Sequence, residues 1–223
     1  MPDKFFKDKK PDFQQLSVFG FSKIPGGYRY SATVVDGQFN LVITLSDDGH
    51  IHTDLIEASS NETYVLHRVQ GAYGAFVGRV RSEYEAVLAS IAEKCFVRDV
   101  FKSDYAKQVI EHVRNTYRDE PEYLWEKTPR NAIFRRKDNA KWYAVLLVLS
   151  ARKLGLDDER IIDIIDLRID TESIESLVDG KRYFPGYHMN KKHWLTICLD
   201  GSVPVEEIFQ RIASSYERAG NSR

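Results

Sequence analysis

The stretch that decides the fold is "NAIFRRKDNAKWYAVLLVLS", Asn131 to Ser150. Two apolar runs flank a polar segment, "RRKDNAK". Aromatic and β-branched residues on either side of such a break suit two strands and a turn. The spacing predicts an antiparallel hairpin turning at Lys137–Ala140. Toward the C-terminus, "RIIDIIDLRI" reads as a short, mostly buried strand. "DTESIESLVD" reads as a short helix with Asp170 at its N-cap. "YHMNKKHWLTICLDG" reads as a second hairpin, turning at Met189–Lys192. "SVPVEEIFQRIASSYERAG" closes the chain as a helix with Val205, Ile208, Ile212 and Tyr216 in one apolar stripe. Toward the N-terminus, "SDYAKQVIEHVRNTY" is an amphipathic helix capped by Ser103, with Tyr105, Val109, His112, Val113 and Thr116 near one face. "EPEYLWEKTPR" between them is irregular. Residues 100–223 thus read α-β-β-β-α-β-β-α.

The first half follows a different grammar. "YRYSATVV", "QFNLVITLS", "HIHTDLIEA" and "ETYVLHRV" read as four strands of a meander, separated by "DG", "DDG" and "SSN". Asp-Gly favours hairpins because glycine accepts positive φ. Phe39, Leu41, Ile43 and Leu45 alternate with Asn40, Val42 and Thr44, the pattern of a sheet with one buried face. "GAYGAFVGRV" reads as a turn; it does not match the phosphate-loop pattern, and no lysine follows Gly78. "SEYEAVLASIAEKCF" reads as a helix with Ser82 as its N-cap. The fold class is α+β, with an N-terminal β-meander and helix domain at 1–99 and a second domain at 100–223.

Composition adds limits. The 223 residues are 43% hydrophobic and 29% charged, ordinary for a globular protein. No apolar run reaches the ~18 residues of a membrane span, and "MPDKFFKDKKPDF" lacks a signal-peptide core. Cys95 and Cys198 sit in apolar surroundings and read as buried thiols. A cytoplasmic protein without a membrane partner is expected. The net charge is −1, but the signs segregate. Pro129 to Lys153 holds seven Lys/Arg and one acid; Lys181 to Trp194 holds four Lys/Arg and none; Leu154 to Gly180 holds nine Asp/Glu and two Arg.

Tyr187 to Trp194, "YHMNKKHW", concentrates reactive and basic side chains that suit a metal, catalysis or nucleic acid. His188 and His193 flank the predicted turn and would face each other across it. A zinc site needs three or four ligands, no acid or cysteine is near, and Lys191 and Lys192 repel a cation. No metal and no cofactor are expected. Asp163 and Asp166 fall on opposite faces of a strand and do not form an acid–base pair. No catalytic motif is present, so an enzyme using His188 or His193 is the least favoured reading. The hairpin tips fit nucleic acid better. Arg135, Arg136, Lys137 and Lys141 lie on one hairpin, and Arg182, Lys191 and Lys192 on the other. Phosphate contacts from them would release counterions, and Tyr187, His188, Asn190 and His193 would add stacking or hydrogen bonds. Against this, hairpin turns are commonly polar and basic for reasons of solubility alone.

"NAIFRRKDNAKWYAVLL", "IIDLRID", "YFPGYHMNKKHWLTICLDGSV" and "SSYERA" together resemble the MmcQ/YjbR family of small bacterial proteins. The resemblance spans residues 100–219. It implies a CyaY-like α+β fold of the double-wing type and a DNA-binding label, with no catalytic activity to carry over. The first half resembles an extension found in longer members. The expectation is a non-enzymatic DNA-binding protein contacting the backbone through two basic hairpins. The rival is a protein-binding module using Tyr28, Tyr30, Tyr64 and Tyr73 of the meander.

Overall fold

A computed structural model describes residues 2–221 and is mixed α+β with antiparallel sheets. Contacts divide it into two compact units, residues up to 99 and residues from 100 onward. No described helix is long and apolar enough to cross a membrane.

The first unit opens with α1 (Asp3–Phe6), β1 (Lys9–Pro11) and α2 (Phe13–Phe19). A four-stranded antiparallel meander follows: β2 (Ser22–Ile24), β3 (Gly27–Val34), β4 (Phe39–Ser46) and β5 (Ile51–Glu57), in that spatial order. The long helix α3 (Ala75–Lys94) and the strand β6 (Phe96–Arg98), which pairs with β1, complete it. The alternation read in β4 is present: Phe39, Leu41, Ile43 and Leu45 are buried against Val80, Tyr84, Leu88 and Ile91 of α3 in one apolar cluster.

Two expectations fail here. "ETYVLHRV" is not a strand. Thr63 makes one isolated bridge to Ile56, Tyr64 gives its N–H to Leu55, and the chain then coils into a 3-10 turn at Leu66–Arg68. That turn buries His67 between the rings of Tyr64 and Tyr84, so local stacking outweighs strand propensity. Ser82 is not an N-cap either. The helix begins at Ala75, after Gly74 at φ 129°, and runs through Gly78. The core stripe starts at Val80, before Ser82, and the burial it gains outweighs the ~1 kcal/mol that a glycine costs inside a helix.

The second unit contains α4 (Asp104–Tyr117), β7 (Ala132–Arg135), β8 (Trp142–Ser150), β9 (Ile161–Arg168), α5 (Thr171–Leu177), β10 (Tyr183–Pro185), β11 (Trp194–Cys198) and α6 (Val205–Asn221). This is the α-β-β-β-α-β-β-α order read from the sequence. The five strands form one antiparallel sheet in the order β10-β11-β9-β8-β7. Its first face, with Phe134, Tyr143, Ile165 and Ile197, packs on Val109 and Val113 of α4 and Ile208 and Ile212 of α6. Its second face, with Ile133, Val145, Ile164 and Trp194, is covered by Trp125, Leu154, Leu156, Tyr187 and Met189 from loops. Both faces are therefore buried, which explains why "WYAVLLVLS" is nearly continuous in apolar residues rather than alternating.

Ser103 caps α4 as expected, accepting the Ala106 N–H at 3.0 Å. Asp163, on the helix face, accepts the N–H groups of Lys102 and Ser103 at 2.8 Å each and so fixes where α4 begins. Asp170 stands at the N-cap position of α5, but its carboxylate is bonded to Arg218 and caps nothing. Since the second unit has its own two-faced sheet and core, we expect residues 100–223 to fold alone. A cooperative thermal melt of that fragment is the expected result; a broad, non-cooperative one would refute it.

Candidate nucleic-acid interface

The two hairpins differ in what they do with their charge. In the first, the backbone closes as predicted: Arg136 N–H donates to the Lys141 carbonyl at 3.0 Å and Ala140 N–H to the Arg136 carbonyl at 3.0 Å. Three of its cations are matched by acids. Arg135 is bidentate on Glu122 (2.9 and 2.5 Å). Arg136 is bidentate on Asp138 (2.9 and 2.6 Å). It also donates to the Tyr216 carbonyl at 3.0 Å and lies 4.1 Å above the Tyr216 ring. Arg136 thus fastens the hairpin to α6. Lys137 reaches the buried Asp119 at 3.3 Å, whose other oxygen accepts the Tyr143 hydroxyl at 2.9 Å. Burial and that carboxylate push the Tyr143 phenol pKa up. Lys141 gives its N–H to Asn139 at 2.9 Å.

The second hairpin, β10 with β11, holds the loop from Gly186 to His193. Gly186 N–H donates to the Trp194 carbonyl at 2.9 Å. A Cβ on Gly186 would lie 2.7 Å from Trp194 Cβ, so only glycine fits that approach. Tyr187 N–H donates to Thr196 Oγ1 at 2.9 Å. The rings divide the motif: Tyr187, Met189 and Trp194 join the sheet's second-face core, while His188, at φ 58°, turns outward. Asn190 closes the turn. Its Oδ1 accepts the Lys192 N–H at 3.0 Å and its carbonyl accepts the His193 N–H at 2.9 Å. Lys191 and Lys192 are exposed, and among the described residues neither has a carboxylate within ion-pair distance. Arg182 belongs with the first hairpin in character, paired with Asp179 at 3.1 Å. Three backbone N–H groups, of Lys181, Arg182 and Tyr183, hold the Asp179 carboxyl well below its usual range.

The loop separates two openings. Lys153, Leu154, His188 and Lys191 line one of about 430 Å³, together with Tyr187 and Met189 and no acid. Arg168, Asp170, Thr171, Asn190, His193, Trp194 and Arg218 line another of about 640 Å³. His188 and His193 therefore point into different openings. His193 Nδ1 sits 3.1 Å from the Thr171 hydroxyl, and the facing imidazole pair imagined for a metal does not form. The backbone reason is the positive φ at His188, which sends its ring away from the turn.

Under the loop lies Asp166, fully buried on the second face. Its Oδ1 meets the Thr196 hydroxyl, which also reaches the Pro185 carbonyl at 3.1 Å. Thr196 has one proton and two acceptors beside it. A protonated Asp166 resolves this by donating to Thr196 Oγ1 while Thr196 donates to Pro185. Its Oδ2 is buried with no partner among the described residues, which further disfavours the charged form. Burial pushes the Asp166 pKa up to about 7. Asp163 and Asp166 do fall on opposite faces, as read.

Sequence reasoning missed Lys153, Arg168, Asp170, Thr171 and Arg218 at these openings. Arg168 carried a signal, as the cation that ends an apolar strand. The others are brought in by topology alone.

Comparison with known proteins places the second unit in a family. The model of the family described as YjbR matches residues 114–218. The uncharacterized protein YyaQ of Bacillus subtilis (strain 168) is 38% identical over 110 residues, 49% of this chain and 93% of YyaQ. The uncharacterized protein YjbR of Escherichia coli (strain K12) is 46% identical over 37 residues, 17% of this chain and 31% of that protein. A crystal structure of a Pseudomonas syringae protein is 38% identical, covers 51% of this chain and 97% of that one, and superposes with a TM-score of 0.49. With the motif-bearing loop, the paired hairpins and nearly the whole of YyaQ matched, the chain belongs to the YjbR family.

Proposed function

We propose that the second unit binds nucleic acid through the loop from Gly186 to His193, contacting the phosphate backbone. One observation carries the reading: Lys153, His188 and Lys191 border an opening without an acid, and the exposed Lys192 follows Lys191 in the same loop. The reading of two equal basic hairpins narrows to one, because Arg135, Arg136 and Lys137 are matched by Glu122, Asp138 and Asp119. It describes a non-catalytic, cytoplasmic protein that needs no cofactor. Exposed lysines in an acid-free patch release counterions on phosphate contact, and the half-buried Tyr187 ring, 4.2 Å from His188, offers a stacking edge.

Binding is expected to be weak and largely sequence-independent, with Kd of ~10⁻⁴–10⁻⁶ M at physiological salt. Lys191→Ala/Lys192→Ala should weaken it and flatten its salt dependence by about two units of slope while leaving the melt unchanged. Arg135→Ala should leave affinity within about twofold, since its charge is already matched. Fluorescence anisotropy with short duplex and single-stranded oligonucleotides reads both. Affinity untouched by the double exchange would sink the proposal.

A second reading, a protein-binding surface, is favoured by one feature of the first unit. Val65, Leu66, Val69, Tyr73 and Phe76 are all exposed within one short segment. Of the meander tyrosines first considered, Tyr28 packs on Phe13 and Tyr30 on Phe19 and Phe21. Tyr73 alone stands out, at 87% exposure.

A further inference from the structure

Arg168 is the arginine of the second unit whose setting calls for a ligand. Its Nε donates to the Trp142 carbonyl at 2.5 Å. Its guanidinium lies 4.9 Å from the centroid of the Trp194 ring. The group is half-buried, held on two sides, and burial lowers its pKa. Yet among the described residues no carboxylate comes within ion-pair distance of it. Arg135, Arg136, Arg182, Arg211 and Arg218 of the same unit each have one. A charge drawn out of water without a counter-ion is costly, and proteins normally match it.

The opening of about 640 Å³ beside Arg168 is lined by groups that donate hydrogen bonds. Asn190 Oδ1 is engaged by the Lys192 N–H, which leaves the Asn190 NH₂ as the free end of that side chain. Thr171 Oγ1 and His193 Nδ1 lie 3.1 Å apart; in the tautomer in which Thr171 donates, the imidazole proton is on Nε2. Asp170 is the single acid in the lining, and it is bonded to Arg218. Two arginines and one aspartate leave one net positive charge. The neighbouring opening, of about 590 Å³, shares Arg168 and Arg218 and is also lined by Arg211, Glu206 and Glu207; Glu207 is paired with Arg211, and the Glu206 carboxylate disfavours an anion there.

We propose that the opening between β9, α5 and the Asn190–Trp194 turn binds a phosphate monoester, with Arg168 as its principal counter-charge. A planar guanidinium fork is matched to phosphoryl oxygens. Three donors, Arg168 at the end of β9 and Asn190 and His193 on the turn, suit a tetrahedral group with several oxygens better than a planar carboxylate with two. The volume lies in the range of small-ligand sites and leaves room for a nucleoside beside the Trp194 wall. The monoester is supplied either by a free nucleotide or by the 5′ end of a nucleic-acid strand. The inference stands apart from the role given to Lys191 and Lys192.

The test is a ¹H–¹⁵N titration of the full chain with inorganic phosphate at constant ionic strength. Saturable shifts at residues 168–171 and 190–194 are expected, with Arg168→Gln weakening binding about 10- to 100-fold and Arg168→Lys by less. Lys191→Ala/Lys192→Ala should leave this phosphate affinity unchanged. Shifts confined to other residues of the wild type, or acetate binding as tightly as phosphate, would overturn the proposal even if Arg168→Gln did not fold. A 5′-mononucleotide and a 5′-phosphorylated oligonucleotide then identify the source, as whichever binds more tightly at these residues. An oligonucleotide lacking the end phosphate that shifts them equally would overturn the monoester assignment.

Discussion

Asp166→Asn will stabilise the protein at pH 8 by about 2–4 kcal/mol and leave it nearly unchanged at pH 4. In the fold, burial holds the Asp166 pKa at about 7; in the unfolded chain it returns to ~3.9. Between those values the unfolded chain releases a proton that the folded chain keeps. Stability from this group therefore falls as pH rises from about 4 to about 7 and stays lower above that. Three pKa units correspond to about 4 kcal/mol, an upper value because a buried site relaxes around a charge. Asparagine ends the titration. Its amide can donate to Thr196 Oγ1 where the protonated carboxyl did. Urea denaturation of wild type and variant across this pH range measures the difference. A gap that does not grow with pH would show that Asp166 is not held neutral.

Gly186→Ala will cost about 1–3 kcal/mol or more, because it overpacks a fixed contact. The new Cβ would meet Trp194 Cβ at 2.7 Å and the Trp194 carbonyl at 2.9 Å. The strands cannot part to admit it without stretching the Gly186–Trp194 hydrogen bond of 2.9 Å. The loop that follows must shift, so nucleic-acid affinity should fall with stability. This contrasts with Lys191→Ala/Lys192→Ala, which should lower affinity alone. Denaturation of the Gly186→Ala protein measures the cost; wild-type stability would mean the loop base is not as rigid as described.

The second unit was legible because its strands and helices carry local signals that agree with their packing. The break at "RRKDNAK", the Ser103 cap and the stripe at Ile208 and Ile212 each point the same way. In the first unit the signals conflicted. Thr63 to Val69 has strand propensity, but the His67 ring gains more by stacking between tyrosines than by joining an edge. The three glycines of "GAYGAFVGRV" read as a turn, but Gly78 lies inside α3. At the candidate site the residue types were visible and their partners were not. Nothing near Arg135 in the chain announces Glu122, and nothing near Lys137 announces Asp119, because those pairings are made across the fold. Arg168 was passed over for the opposite reason, since an unmatched charge is visible only after every acid has been placed.

On the proposed function, one loop, and not both hairpin tips, meets nucleic acid. Mapping ¹H–¹⁵N shifts of the full chain on addition of a short oligonucleotide tests it most directly. Shifts at Lys153 and across residues 186–193 are expected, with residues 136–141 still. Shifts centred on 136–141, or on the exposed segment from Val65 to Phe76, would contradict it.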